Sequence, residues 1–254
     1  MDTRTDPIRL RLAELQLALA RHQIDAVLVP SADPHLSEYL PGRWQGREKF
    51  SGFTGSMGTL VVLRDRAVVF ADSRYWVQAE RELAATGVEL MKIPTGAGTH
   101  HIDWLAANLP EGATLAVDAA VLSLAMGKIL ADTMAARGVA VRTDIDMLDQ
   151  AWPDRPGMPQ AKVYEHLAPH APTPRGAKLD VLRAGMARHG ATHHFVSTLD
   201  DICWITNLRG ADVEYNPVFC AHLMVGNGAA TLFVDASKFD AALVARLAAD
   251  GVAL

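Results

Sequence analysis

The densest group of polar and charged side chains in the chain is Asn207-Leu208-Arg209-Gly210-Ala211-Asp212-Val213-Glu214-Tyr215-Asn216-Pro217. It hangs between an apolar helix expected over 202–205 and an apolar strand expected over 218–225. Its plain reading is a solvated loop. A loop this long between buried elements is also where a rigid scaffold places recognition groups, which makes Arg209, Asp212 and Asn216 candidate site-lining residues.

Other constellations carry less. The segment Ser51-Gly52-Phe53-Thr54-Gly55-Ser56-Met57-Gly58 lacks the Lys-Ser/Thr of a phosphate loop, leads into a strand, and contains no Gly-x-Ser-x-Gly elbow. Its glycines are expected to bend the backbone into a hairpin. The pairs His100-His101 and His193-His194 do not set two imidazoles on one helical face as a His-Glu-x-x-His zinc site does. The first pair is expected in an exposed turn, the second on a strand with one histidine on each side of the sheet. Cys203 and Cys220, with His222 nearby, offer three soft ligands, but Ile202, Trp204 and Phe219 beside them point to buried thiols. Nothing around Cys203 specifies the base and orienting group of a catalytic cysteine.

The elements that must position these residues follow an α/β rhythm. A first helix, with Asp6 as cap and Pro7 in its first turn, sets Ile8, Leu12, Leu15 and Leu19 on one face and stops near Gln23. Strand 26–29, an irregular stretch 31–58, a hairpin over 60–63 and 68–70, helix 75–85 closed by Gly87 and strand 88–91 follow. Two more helix and strand units come next: 103–109 with 115–117, and 123–137 with 139–141. Prolines 153, 156, 159, 169, 172 and 174 then mark a stiff connection. Beyond it Thr173 is placed to cap a helix, with Pro174 in its first turn, that ends at Gly190.

The original order then recurs. Ala20-Arg21-His22 before Ala26-Val27-Leu28-Val29 matches Ala187-Arg188-His189 before His193-His194-Phe195-Val196, an offset of about 167 positions. Phe70-Ala71-Asp72 matches Phe233-Val234-Asp235, and Gly87-Val88 matches Gly251-Val252. Asp72 and Asp235 therefore occupy equivalent strand-to-helix connections, where an aspartate caps a helix. Two copies of one α/β domain are expected, and the second stops at Leu254, two helix and strand units short of the first. A period this long does not suit a solenoid.

Composition bounds the function. The 254 residues are half hydrophobic and a fifth charged, with a net charge of −5 from 24 basic and 29 acidic side chains. Such a chain is globular and has no bulk attraction to nucleic acid or anionic membrane. With two cysteines, no Cys-x-x-Cys pair, no secretory or transit pattern and no apolar run of about 20 residues, a cytoplasmic setting away from membranes is expected.

Four motifs carry a resemblance: Pro30-Ser31-Ala32-Asp33-Pro34-His35-Leu36-Ser37-Glu38-Tyr39, Phe50-Ser51-Gly52-Phe53-Thr54-Gly55-Ser56, Asp72-Ser73-Arg74-Tyr75, and Asn207 to Asp212 continuing through Asn216-Pro217-Val218-Phe219. In this order they resemble the three-domain Xaa-Pro aminopeptidases. The resemblance implies two tandem creatinase N-terminal-type domains, each a mixed sheet flanked by helices: domain I over 1–155, a proline-rich linker over 156–174, and an incomplete domain II over 175–254. It also implies a third, pita-bread domain outside this chain, in which two Asp, one His and two Glu hold two divalent metals, manganese or zinc, for hydrolysis before a proline in second position. No catalytic or metal-binding residue, and no cofactor, falls in this chain on that reading. Its expected part is substrate access, cleft shaping and support of a homodimer, with proline-containing peptides and its own catalytic domain as partners. Arg209, Asp212 and Asn216 match a motif at the interdomain cleft, and Arg209 would suit a peptide carboxylate or carbonyl. The alternatives are a stand-alone binding or regulatory module of peptidase-like descent, and a nucleotide-binding α/β enzyme, which would need the phosphate loop that is missing.

Overall fold

The computed structural model describes residues 5–96 and 98–254, with side chains from Pro7 onward, so the cap expected of Asp6 lies outside the described residues. The chain divides into two compact units, 1–156 and 157–254.

The first unit runs α1 (Thr5–Arg21), β1 (Ala26–Pro30), α2 (Gly46–Ser51), β2 (Thr59–Leu63), β3 (Ala67–Ala71), α3 (Trp76–Leu83), β4 (Val88–Lys92), α4 (His100–Asn108), β5 (Thr114–Ala116), α5 (Leu124–Ala135), β6 (Ala140–Arg142) and α6 (Met147–Ala151). Its sheet has the order β4-β3-β2-β1-β5-β6, and β2 is antiparallel to both neighbours while the other pairs are parallel. The Val- and Leu-rich runs of β1 to β3 are buried on both faces, as strands with helices on each side must be. Val27, Val29, Leu60, Val62 and Val69 pack on α1, α2, α3 and α6. Leu28, Val61, Val68, Phe70 and Leu115 pack on α4 and α5.

The second unit runs β7 (Tyr164–Glu165), α7 (Arg175–Arg188), β8 (His193–Val196), α8 (Leu199–Thr206), β9 (Leu208–Arg209), β10 (His222–Gly226), β11 (Ala230–Phe233), α9 (Ala241–Ala249) and β12 (Val252–Ala253). Its sheet, β12-β11-β10-β8, repeats β4-β3-β2-β1 in order and in sense, parallel once and then antiparallel twice. The equivalence reaches single residues. Leu28 pairs with Val61 and Val61 with Val68 in one sheet, as Phe195 pairs with Met224 and Met224 with Thr231 in the other. Asp72 Oδ1 accepts from the N–H of Arg74 at 3.0 Å and Asp235 Oδ1 from that of Ser237 at 2.9 Å. Gly87 and Gly251 both take positive φ just before the last strand of the shared order.

Several boundaries move, each for a local reason. The stretch 31–58 contains α2, too short to show a helical period, and α6 falls between the strand expected over 139–141 and the proline-rich connection, where no element was expected. The helix expected to 85 ends at Leu83, because Ala85 turns into the left-handed region ahead of Gly87. Pro174 is the N-cap of α7 and no side-chain cap bond is made, so Thr173 does not cap it. The strand expected from 218 begins at His222, because Val218 and Cys220 bond back into the preceding loop. The proline-rich stretch is not a free connection throughout: Tyr164 and Glu165 pair with Arg209 and Leu208. His101 is not in an exposed turn. It sits in the first turn of α4, packed edge-on to Phe70, and burial lowers its pKa to about 4.

Candidate functional site

The polar stretch starts where α8 stops. Asn207 takes the left-handed C-cap position, its side chain accepting from Lys178 Nζ at 2.5 Å and donating to the Thr173 carbonyl at 2.9 Å. Gly210 then lets the two limbs of the loop touch, since a Cβ there would come within 2.7 Å of Phe219 Cβ. The Gly210 N–H donates to the Pro217 carbonyl and the Asp212 N–H to that of Val218. A tight turn closes between Val213 and Asn216 with Tyr215 at φ +60, an uncommon conformation for an aromatic residue.

The three candidate side chains have different fates. Asp212 does not line an open surface: its Oδ2 accepts from the Cys220 N–H at 2.7 Å and from Lys238 Nζ, and both partners of this ion pair are buried. Its work is to lock the loop onto the segment that follows β11. Arg209 is half-buried, and its Nη1 donates to the carbonyls of Cys203 and Leu208, both at 2.8 Å. Asn216 is half-buried on the turn. At the tip Tyr215 is 98% exposed, with Glu214 raising its pKa through a hydrogen bond and charge.

Two lysines unremarked in the sequence complete the arrangement. Lys178 is buried and donates to the Trp204 carbonyl at 2.6 Å, with its ammonium 4.3 Å from the Trp204 ring centroid. Its pKa is lowered by burial and then by the nearby Arg209 charge. Lys178 and Arg209 both donate to backbone carbonyls at this end of the loop, which sets two cations close together. An anionic or carbonyl-bearing group is what such a cluster attracts. Only the odd lysine on the core-facing side of α7 could have signalled this, because Trp204 and Asn207 lie 26 and 29 positions from it, in no sequence pattern.

Cys203 and Cys220 are buried and outside any disulfide, and burial raises the Cys203 pKa to about 11, which keeps it from being a nucleophile at neutral pH. His193 and His194 are exposed on the edge strand β8. Among the described residues no group of three or more His, Cys, Asp and Glu side chains is placed to hold a metal ion, and no helix is long and apolar enough to cross a membrane.

Comparison with known proteins joins these features. The model of the creatinase/prolidase N-terminal domain matches residues 11–149, and a second model with the same description matches 154–254. The chain belongs to the creatinase/prolidase N-terminal domain family, twice over. It is 36% identical over 243 residues to an Xaa-Pro aminopeptidase of Drosophila melanogaster, covering 94% of this chain and 40% of that protein. It superposes with a TM-score of 0.86 and 27% identity on the X-prolyl aminopeptidase of Caenorhabditis elegans, described as a cytosolic enzyme with a di-nuclear active site, over 97% of this chain and 42% of that one. The chain thus spans about two fifths of the length of these relatives, and the resemblance read from its four motifs stands.

Proposed function

We propose that this chain is the N-terminal, non-catalytic part of a metal-dependent Xaa-Pro aminopeptidase, which removes the first residue from peptides with proline second. Domain I covers 1–155 and domain II starts at 175, with the connection 156–174 anchored to domain II through Tyr164 and Glu165. The observation that carries the reading is the serial pair of like domains, which follows the C. elegans enzyme over 97% of this chain and 42% of that one. Two divalent metals, manganese or zinc, would be held by residues outside the chain and would supply the hydroxide nucleophile. A cytoplasmic homodimer is the setting this reading carries, in keeping with the cytosolic description of that relative.

Within it the loop 207–217 helps wall the cleft. Arg209 faces the peptide, Asn216 and Tyr215 form the rim, and Asp212 holds the loop in place. The test uses an enzyme in which this region is joined to its metal-bearing domain. Arg209→Lys, which keeps the charge and loses the planar fork, is expected to raise KM about tenfold with kcat little changed. Unchanged KM would remove Arg209 from the cleft.

A further inference from the structure

In the first unit a cavity of about 220 Å³ opens at the carboxyl ends of β1 and β5, between the sheet and the helices α4 and α5. The chain leaves β1 toward β2 and leaves β5 toward β6, in opposite directions along the sheet. The crevice at such a reversal is where open α/β sheets bind ligands. Leu28 and Phe70 form its buried floor, His101, Ser123 and Met126 its helical wall, and Leu36 stands at its mouth.

The polar groups inside are paired so as to leave no net charge but some hydrogen-bonding capacity. Asp72 is neutralised by Arg74, whose Nε and Nη2 donate to its two oxygens at 3.1 and 2.8 Å. The His101 imidazole, kept neutral by burial, offers one donor and one acceptor. Ser31 Oγ donates to the Gly58 carbonyl at 2.6 Å and can still accept, while Ser123 Oγ accepts from the Met126 N–H at 3.2 Å and can still donate. One N–H and one C=O on an otherwise apolar body match this set.

The mouth is built at a conformational cost. Leu36 has φ +55 and is 52% exposed, a bulky residue held left-handed with its apolar side chain half in water. Buried Asp33 holds it there, its Oδ1 accepting from the N–H groups of His35 and Ser37 at 3.0 and 2.8 Å and its carbonyl from that of Leu36 at 2.9 Å. Strain of this kind collects at ligand clamps. Met57 and Met126, flexible and polarisable, complete an adaptable apolar lining.

We infer that this cavity binds an uncharged, amide-bearing ligand with an apolar side chain, about the size of one capped amino acid. The amide meets His101, Ser31 and Ser123, and the side chain lies over Leu28 and Phe70 under Leu36. This inference does not depend on the peptidase reading.

The chain is titrated with N-acetyl-leucinamide while the methyl resonances of Met57 and Met126 and the ring resonances of His101 are followed. Saturable shifts at these three residues are expected. Leu36→Gly, which removes the mouth and relieves its backbone, should weaken binding about fivefold without loss of thermal stability. Met126→Trp, which fills the cavity, should abolish the shifts while the spectrum elsewhere stays folded. Free leucine, charged at both ends, should bind about tenfold more weakly than the capped form, because its charges find no partner inside. No saturable shift up to the solubility limit, shifts that survive both substitutions, or equal binding of free leucine would overturn the inference.

Discussion

The same face of the sheet has opposite surroundings in the two units. In the first, Leu28, Val61, Val68 and Phe70 are sealed under α4 and α5, and Phe70 is 1% exposed. In the second, the residues at the matching register positions are Phe195, Met224, Thr231 and Phe233, and the two phenylalanines are 53% and 55% exposed. The other face is alike in both: Leu60, Val62 and Val69 in one and Leu223, Val225 and Leu232 in the other are buried under the helices that the two units share. The common topology therefore rests on one covered face. The second cover is a separate layer, contributed in the first unit by the segment from α4 to β6.

Substitutions at paired positions should have unequal effects in the two units. Phe70→Ala is expected to cost about 3–5 kcal/mol, the usual loss for a core phenylalanine, while Phe233→Ala should cost less than about 1 kcal/mol. Denaturant melts can separate the two, since four of the five tryptophans lie in the first unit and Trp204 alone reports on the second. Comparable losses at the two sites would mean that the second face is covered in solution.

The connection between first strand and hairpin sharpens the contrast. After its short helix the first unit closes the connection with Gly52, Gly55 and Gly58, whereas the second locks a longer loop after α8 with the buried Asp212 and Lys238 pair. Lys238→Met strands a buried carboxylate and is expected to cost about 3–5 kcal/mol on the Trp204 melt. The double variant Asp212→Leu with Lys238→Met should recover most of that, because removing both charges ends the desolvation cost. A double variant as weak as the single would place the stabilisation in the Cys220 N–H bond to Asp212 instead.

Acid should then separate the units. His101 has its pKa lowered from 6.5 to about 4, mainly by burial, with Asp103 opposing and His100 adding to the shift. Above pH 6.5 folded and unfolded forms are both neutral. Below it the unfolded chain takes up a proton that the folded chain refuses, so the first unit loses stability progressively down to about pH 4, by an amount on the order of 3 kcal/mol. His101→Phe should flatten this part of the pH profile, and a profile unchanged by that substitution would contradict the burial.

The smallest effect should be equal in both units. Gly87 and Gly251 have positive φ and open space around the missing Cβ, so Gly87→Ala and Gly251→Ala should each cost roughly 1 kcal/mol through backbone conformation alone.

Much of this was legible in the sequence because it rests on local rules. The Gly-Val pairs, the paired aspartates and the alternation of helices with short apolar strands reproduce in both sheets, and so does the burial of both cysteines. Short α2 and α6 were not, since five or six residues do not complete two helical turns. The loop 207–217 lies between α8 and β10, as the apolar runs on either side imply, but the partners of its side chains were not legible. Asp212 turned inward because Lys238, 26 positions away, is brought beneath it by β10 and β11. Lys178 became part of the site because α7 packs on α8. Pairings made across folded elements leave no spacing to read.

The proposed non-catalytic role is tested most directly by incubating the purified chain with a peptide carrying proline second and added manganese. Two-metal hydrolysis needs carboxylates and imidazole gathered around ions about 3.5–4 Å apart, and the described residues gather none. No release of the N-terminal residue above background is expected. Metal-dependent release that survives controls for host peptidases, and that disappears with chelator, would contradict it.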